Sequence, residues 1–390
     1  MKVAGIIAEY NPFHNGHAFH IDSVYQNGAT HIVAVMSGNF VQRGEGSVFD
    51  KWARTETALK NGVDLVVELP TQYATATAER FALGAVNTLN ALGCVDELAF
   101  GSECGDIDLL TAAAEANLSA DLDEPIKQGL ESGKSYAAAR CDAVKRLYGK
   151  KVADLFCTPN DTLGIEYISS LIKSNSKITP YVIKRHKSEH DKVGVADGFA
   201  SASQIRQMIL RGEDFSHLVP DSAYEIYKSC IEKGTAPATL SNAQSAILWQ
   251  LRQMSSEDFA ELFDMSEGLP YRLYNAVQKA TTLDEVYELA KTKRYPLARI
   301  RRLVLWAVLG SSMTTPEYIR VLGFNKKGSQ LLKLMKTTCA LPVVTSYSGA
   351  VKSGNQADFE VCSKQTDFYT LTLPKPLPCG EEMRRSVVKI

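Results

Sequence analysis

Gly5-Ile6-Ile7-Ala8-Glu9-Tyr10-Asn11-Pro12-Phe13-His14-Asn15-Gly16-His17 decides the reading of this chain. Val3 to Ala8 is an uninterrupted apolar run, the pattern of a parallel strand covered on both faces. Asn11-Pro12 ends it, because proline has no N–H for a strand ladder and asparagine favours turns. The residues after this turn read as a helix start, where unpaired N–H groups and a partial positive charge suit an anion, and Gly16 lets a ligand approach the backbone. His14 and His17 are three apart and share one face of a first helical turn. From there two imidazoles can neutralise charge developing on an α-phosphate and a departing pyrophosphate. The same pair also fits a helix cap or a metal site. His20, one turn on, has a secondary binding role at most.

Working outward, apolar runs recur at His31 to Met36, Asp64 to Leu69, Glu97 to Phe100 and Tyr181 to Ile183, with helical patterns between them. That alternation predicts an α/β fold with an open, mostly parallel, Rossmann-like sheet. Such sheets bind ligands beyond the carboxyl ends of their strands. Ser37-Gly38-Asn39, Gly101-Ser102-Glu103 and Lys184-Arg185 all fall at that rim. Between the fourth and fifth runs lies a stretch too long for a simple crossover. Leu109 to Leu118 and Ser135 to Leu147 have helical spacing, so about 105–150 is read as a helical insertion within an ATP-binding unit spanning 1–218.

From about Val219 the pattern becomes mainly helical to residue 390, with Leu297 to Leu309 as one clear case. There Ile300, Leu303, Val304 and Ala307 form the apolar face and Arg299 and Arg302 share another. Basic side chains, Lys326 and Lys327 among them, outnumber acidic ones beyond Tyr295. That surplus suits an RNA backbone, and it equally suits a solvated charged surface. The last forty residues alternate short apolar groups with Pro and Gly, which suggests a small β element. Lys51 and Arg54 lie on a helix-like run and are expected on its solvated face or against RNA.

The 390 residues, 45% hydrophobic and 22% charged, are enough for two or three domains with a sizeable core. A net charge of -1 excludes a uniformly basic nucleic-acid binder but not a local basic patch. The apolar N-terminal run is short and broken by Glu9, unlike a signal peptide, and no later run could span a bilayer, so a cytoplasmic location is expected. Eight cysteines without a C-x-x-C pair fit reduced thiols and give no zinc signature. Nothing in the pattern bears on oligomeric state.

A second signature, Ser201-Ala202-Ser203-Gln204-Ile205-Arg206, opens an amphipathic helical run. Ser201 or Ser203 can cap that helix, and Ser plus Arg at its mouth can grip a β- or γ-phosphate. Arg185 is a second candidate clamp, with a surface ion pair as its other reading. The two signatures together resemble the nucleotidyltransferase branch of the His-x-Gly-His superfamily. The Lys-Met-Ser-Lys-Ser element of class I aminoacyl-tRNA synthetases is not matched, and Lys173-Ser174-Asn175-Ser176-Lys177 only echoes it.

Five segments narrow the resemblance: Tyr10 to His17, Met36 to Gly44, Phe100 to Glu103, Pro159-Asn160-Asp161 and Ser201 to Arg206. In that order, ahead of a helical region, they resemble the bacterial tRNA(Met) cytidine acetate ligase family over essentially the whole chain. Glu45-Gly46-Ser47 departs from that pattern, where Pro-Ala is expected after Gly44-Glu45. The resemblance implies that ATP and acetate form acetyl-adenylate, with Mg2+ assistance, and that acetyl passes to N4 of the wobble cytidine of elongator tRNA(Met). Carried over by position, it implies ATP binding by Ile7, Ala8, Glu9, Tyr10, Asn11, Pro12, Phe13, His14, Asn15, Gly16, His17 and His20, and by Gly101, Asn160 and Arg185. Asn160 is also expected to cap the helix Asp161 to Ile172. Two rival readings are a small-molecule adenylyltransferase needing no RNA, and an RNA-binding protein with a degenerate nucleotide site.

Overall fold

Alternation along two neighbouring strands sets the architecture. In β1 (Val3–Ala8), Val3 and Ile7 face one side while Ala4 and Ile6 face the other. β2 (His31–Ser37) does the same, with Val33 and Val35 on the first side and Ile32, Ala34 and Met36 on the second. Both faces are thus apolar and both are covered by helices, as a parallel sheet requires. The computed structural model describes residues 1–185, 200–266, 268–310 and 317–390.

The remaining strands are β3 (Phe40–Val41), β4 (Glu45–Gly46), β5 (Leu65–Leu69), β6 (Glu97–Ser102), β7 (Thr179–Lys184), β8 (Ile319–Phe324), β9 (Val343–Val344) and β10 (Val388–Lys389). The main sheet runs β10-β8-β5-β2-β1-β6-β7, with β9 beside β8. β5, β2, β1, β6 and β7 are parallel, and β8 is antiparallel to β5. β3 and β4 form a separate small hairpin.

The chain leaves β1 toward β2 and β5, then returns to place β6 on the other side of β1. That reversal falls between β1 and β6, and an open α/β sheet binds its ligand in the crevice at the carboxyl ends of the strands where the order reverses. Helices Ala78–Leu92, Ile107–Asn117 and Pro159–Lys173 cover one face, and helices Asn15–Gln26, Lys51–Lys60 and Ala202–Arg211 the other. The open α/β sheet expected from the sequence is therefore present, and helices Ile107–Asn117, Asp123–Glu131 and Tyr136–Tyr148 fill the long β6-to-β7 connection.

Residues beyond 219 are not uniformly helical. Helices between Gln244 and Leu309 build a core of their own around Leu251, Leu273, Val286 and Ile300. Past Tyr318 the chain returns to the sheet through β8, β9 and β10. β8 is hard to see in the sequence because Arg320 interrupts its apolar run, and the structure neutralises that charge on buried Glu382 at 3.1 Å. The tail expected to hold a small β element contains the short strand β10, and its longest element is the helix Gln356–Thr370.

Lys51 and Arg54 are also placed differently from expectation. Both are buried rather than solvated. Lys51 Nζ lies 2.8 Å from Glu68 and 2.7 Å from Glu382, tying the helix Lys51–Lys60 to β5 and to the C-terminal segment. Arg54 donates to the carbonyls of Glu9, Ser37, Gly38 and Phe49, fastening the chain where it leaves β1 and β2. Periodicity could not distinguish them from surface residues, since their partners come from remote segments.

Candidate active site

The turn after β1 is held from three directions. Tyr10 turns the chain with φ +47, and the Asn11–Pro12 peptide is cis. Val48 N–H donates to Asn11 Oδ1 at 2.9 Å, and Arg206 Nη1 donates to the Asn11 carbonyl at 2.7 Å. Phe13 N–H donates to the Tyr227 hydroxyl at 2.9 Å. The second signature thus braces the first directly.

His14 is the N-cap of the helix Asn15–Gln26, and His17 is the third residue of that helix. Gly16 N–H donates to His14 Nδ1 at 3.0 Å, and His14 N–H donates to His17 Nδ1 at 3.2 Å. This is a capping box built from two imidazoles. Each Nδ1 must accept, so in the neutral ring each proton sits on Nε2. The rings stack with centroids 3.8 Å apart. Capping and ligand binding are therefore compatible here, because the cap uses Nδ1 and leaves Nε2–H as a donor. Gly16 owes its place to the same geometry: a Cβ there would lie 2.9 Å from His14 Cε1.

The histidines are neutral donors rather than cations. Burial, reinforced by Arg185 and Arg206, lowers His14 to about 4. Burial, with His14 and Arg185, holds His17 well below the usual range. Burial and Arg185 lower His20 to about 4, and its Nε2 has no hydrogen-bond partner among the described residues. Fixed positive charge comes from the two arginines.

Arg185 follows β7, and its stem lies over Gly101 of β6, where a Cβ would meet Arg185 Cγ at 3.2 Å and Cδ at 3.4 Å. Its Nη1 donates to Asn160 Oδ1 at 3.3 Å. Gly101, Asn160 and Arg185, far apart in sequence, are thus neighbours across the crevice. Asn160 lies inside the helix Pro159–Lys173 rather than capping it. The capping acceptor is Glu103, which takes Asn160 N–H at 3.3 Å, Asn160 Nδ2 at 2.6 Å and Asp161 N–H at 2.9 Å. Glu103 was visible in the sequence only as a rim residue.

Ser201 caps the helix Ala202–Arg211 in a box with Gln204, which commits its hydroxyl to that role. Ser203 Oγ accepts from Arg206 Nη2 at 3.2 Å. Arg206 accordingly spans both signatures. Among the described residues no group of three or more His, Cys, Asp or Glu side chains is placed to hold a metal ion.

The four basic residues expected to meet RNA fall in two places. Arg299 and Arg302 both pair with Asp264, at 3.2 and 3.7 Å, and Arg302 packs beside Gly44 of the hairpin formed by β3 and β4. That hairpin adjoins the crevice, since Gln42 N–H donates to Glu9. Lys326 and Lys327 open the helix Lys326–Thr338 at the opposite end of the sheet, where Lys327 Nζ donates to the Thr30 carbonyl just before β2. A strand the length of β2 separates the two ends by about 20 Å.

A family model described as HIGH Nucleotidyl Transferase matches residues 1–382. Curated tRNA(Met) cytidine acetate ligases match along the chain: that of Thermoanaerobacter sp. (strain X514) is 40% identical with all of both chains covered. The one of Caldicellulosiruptor saccharolyticus is 42% identical over 86% of this chain and 85% of its own. The chain belongs to the tRNA(Met) cytidine acetate ligase family. Crystal structures of Thermotoga maritima TmcAL agree in fold at 34% identity. The form bound with alpha-thio ATP gives a TM-score of 0.92, covering 100% of this chain and 99% of its own, and the apo form gives 0.94 with full coverage of both. Among the described residues no helix is long and apolar enough to cross a membrane.

Proposed function

We propose that this enzyme uses ATP to activate acetate as acetyl-adenylate and then acetylates N4 of the wobble cytidine of elongator tRNA(Met). One observation carries the reading: the backbone turns two neutral imidazoles so that each keeps an Nε2–H donor at the switch point of the sheet. An acetate oxygen attacks the α-phosphorus, the bond to the β-phosphate bridging oxygen breaks, and pyrophosphate leaves. Donors aimed at that charge, with Arg185 and Arg206 nearby, lower the barrier by electrostatic stabilisation and positioning. Ile7 to His20 and Gly101 border the nucleotide, Asn160 orients Arg185, and Ser203 and Arg206 close the phosphate end while Ser201 caps their helix. Mg2+ accompanies the ATP phosphates.

In this reading residues 1–218 carry the nucleotide and the later helices carry the tRNA. Arg299 and Arg302 are the RNA contacts nearest the crevice, with Lys326 and Lys327 meeting RNA only where it extends round the sheet. A cytoplasmic location, where tRNA is at hand, is part of this reading. The test is transfer of radiolabelled acetate to purified tRNA with ATP, alongside a control without tRNA assayed for acetyl-adenylate. Label on the elongator tRNA(Met) cytidine supports the reading. Adenylylation of a small molecule with no label in RNA would replace it with a small-molecule adenylyltransferase.

A further inference from the structure

Making an amide at cytosine N4 requires a base. The N4 lone pair is delocalised into the ring, so the amine attacks readily only when a proton is removed as its new bond forms. His14 and His17 are excluded from that task, because Nδ1 of each accepts a backbone N–H and Nε2 carries the proton.

The carboxylates at the crevice differ in what they have free. Both Glu103 oxygens accept from the start of the helix Pro159–Lys173. Asp161 is buried and accepts from Ser102, Cys104 and Thr158. Glu45 is paired with Arg301. Glu9 is different. It directly follows β1, its Oε1 accepts Gln42 N–H at 2.8 Å, and among the described residues no donor reaches its Oε2. The residue is partly covered, and the unpaired Oε2 is not fully enclosed.

We propose that Glu9 is the general base of the acetyl-transfer step. This assignment rests on the acetylation reading. Nitrogen N4 attacks the acetyl carbonyl carbon, the carbonyl electron pair moves onto oxygen, and Glu9 Oε2 takes one N4 proton. As the carbonyl re-forms, the bond to the phosphate oxygen breaks and AMP leaves with that electron pair. The proton on Glu9 then passes to water. Burial raises the carboxyl above its usual range despite the Gln42 N–H and the charges of Arg206, Arg43 and Arg54, which makes it a stronger base.

Glu9→Gln tests this, since an amide oxygen can still accept the Gln42 N–H while the basicity is gone. Two rates are measured on the full-length enzyme with tRNA present: acetate-dependent exchange of labelled pyrophosphate into ATP, and single-turnover transfer from acetyl-adenylate to tRNA. Transfer is expected to fall at least 100-fold and at least tenfold more than exchange, which also falls because Glu9 borders the nucleotide, with Glu9→Asp recovering part of the transfer. The wild-type transfer rate should rise with pH through an acid limb whose upper part Glu9→Gln abolishes. Arg206, Arg43 and Arg54 supply charge around Glu9 and Tyr167 interacts with it, while His14 and His20 in the same site are lowered to about 4, below the raised Glu9, so the upper part of the limb is the part that Glu9→Gln removes. A parallel fall in both rates, or transfer within tenfold of wild type, would overturn the assignment alone. If wild-type enzyme transfers no acetyl group, the acetylation reading and this assignment fall together.

Discussion

The main-chain N–H of His14 donates to His17 Nδ1 across 3.2 Å, so one residue's backbone fixes the other's tautomer. Gly16 N–H does the same for His14. A side chain that can cap but has no donor at the Nε2 position separates the two roles. His14→Asn keeps an N-cap acceptor and removes the Nε2–H. Adenylate formation should fall about 100- to 1,000-fold, the usual cost of losing one such donor. Pyrophosphate exchange measures it, and a melting temperature close to wild type shows that the cap survived. Wild-type exchange in this variant would remove His14 from the phosphate site.

Neutral buried histidines also make stability depend on pH. His14 and His20 are lowered to about 4 from an ordinary 6.5, chiefly by burial. Between those values the unfolded chain binds protons that the folded chain does not, so stability falls as pH drops from about 6.5 to about 4 and changes no further on this account below it. A 2.5-unit difference corresponds to about 3 kcal/mol per group as an upper bound. Denaturant unfolding at pH 7 and pH 4.5 should show a smaller acid loss for His20→Gln than for wild type. Equal losses would mean that His20 is not held neutral.

The strand–turn–helix path of the first motif was legible because all its parts are local: strand, turn, glycine and two histidines within one short stretch. The sheet was legible for a related reason, since its central strands are apolar on both faces. The hidden features depend on distant partners. Arg320 disguised β8 until Glu382 appeared beside it, and Lys51 looked like a surface lysine until Glu68 and Glu382 enclosed it. Glu103 is similar, because its role as a cap exists only once β6 lies against the helix Pro159–Lys173. Charge inside an apolar pattern cannot be read as buried or exposed without its counter-ion.

Lys51 provides the stability test of that point. Burial alone would lower it, but Glu382 and Glu68 outweigh burial and keep it charged. Lys51→Met leaves Arg320 for Glu382 and nothing comparable for Glu68. Breaking a buried pair this way costs about 3–5 kcal/mol. The loss should be larger at pH 8 than at pH 5.5, because an unpaired buried Glu68 is tolerated only when protonated. Adding Glu68→Gln should recover part of it. Denaturant unfolding of the single and double variants checks both expectations, and a pH-independent loss would indicate lost packing instead.

The placement of basic residues separates two models of tRNA engagement. Arg299 and Arg302 share one carboxylate, Asp264, so the pair keeps net positive charge beside the hairpin at the crevice. Trp306, on the same helix, donates to Thr75 and anchors that helix against the sheet unit. An RNA strand delivering a base to the crevice therefore has a basic edge fixed in position. Lys326 and Lys327 are exposed but sit at the amino end of the strands. Arg299→Ala with Arg302→Ala should raise the KM for tRNA about tenfold, change the KM for ATP less than twofold, and reduce the salt dependence of tRNA binding by about two counterions. Lys326→Ala with Lys327→Ala should change the KM for tRNA less than the arginine pair does. If instead the lysine pair dominates, the tRNA body wraps round the amino end of the sheet, and the arginines act mainly by holding Asp264 and the hairpin in place.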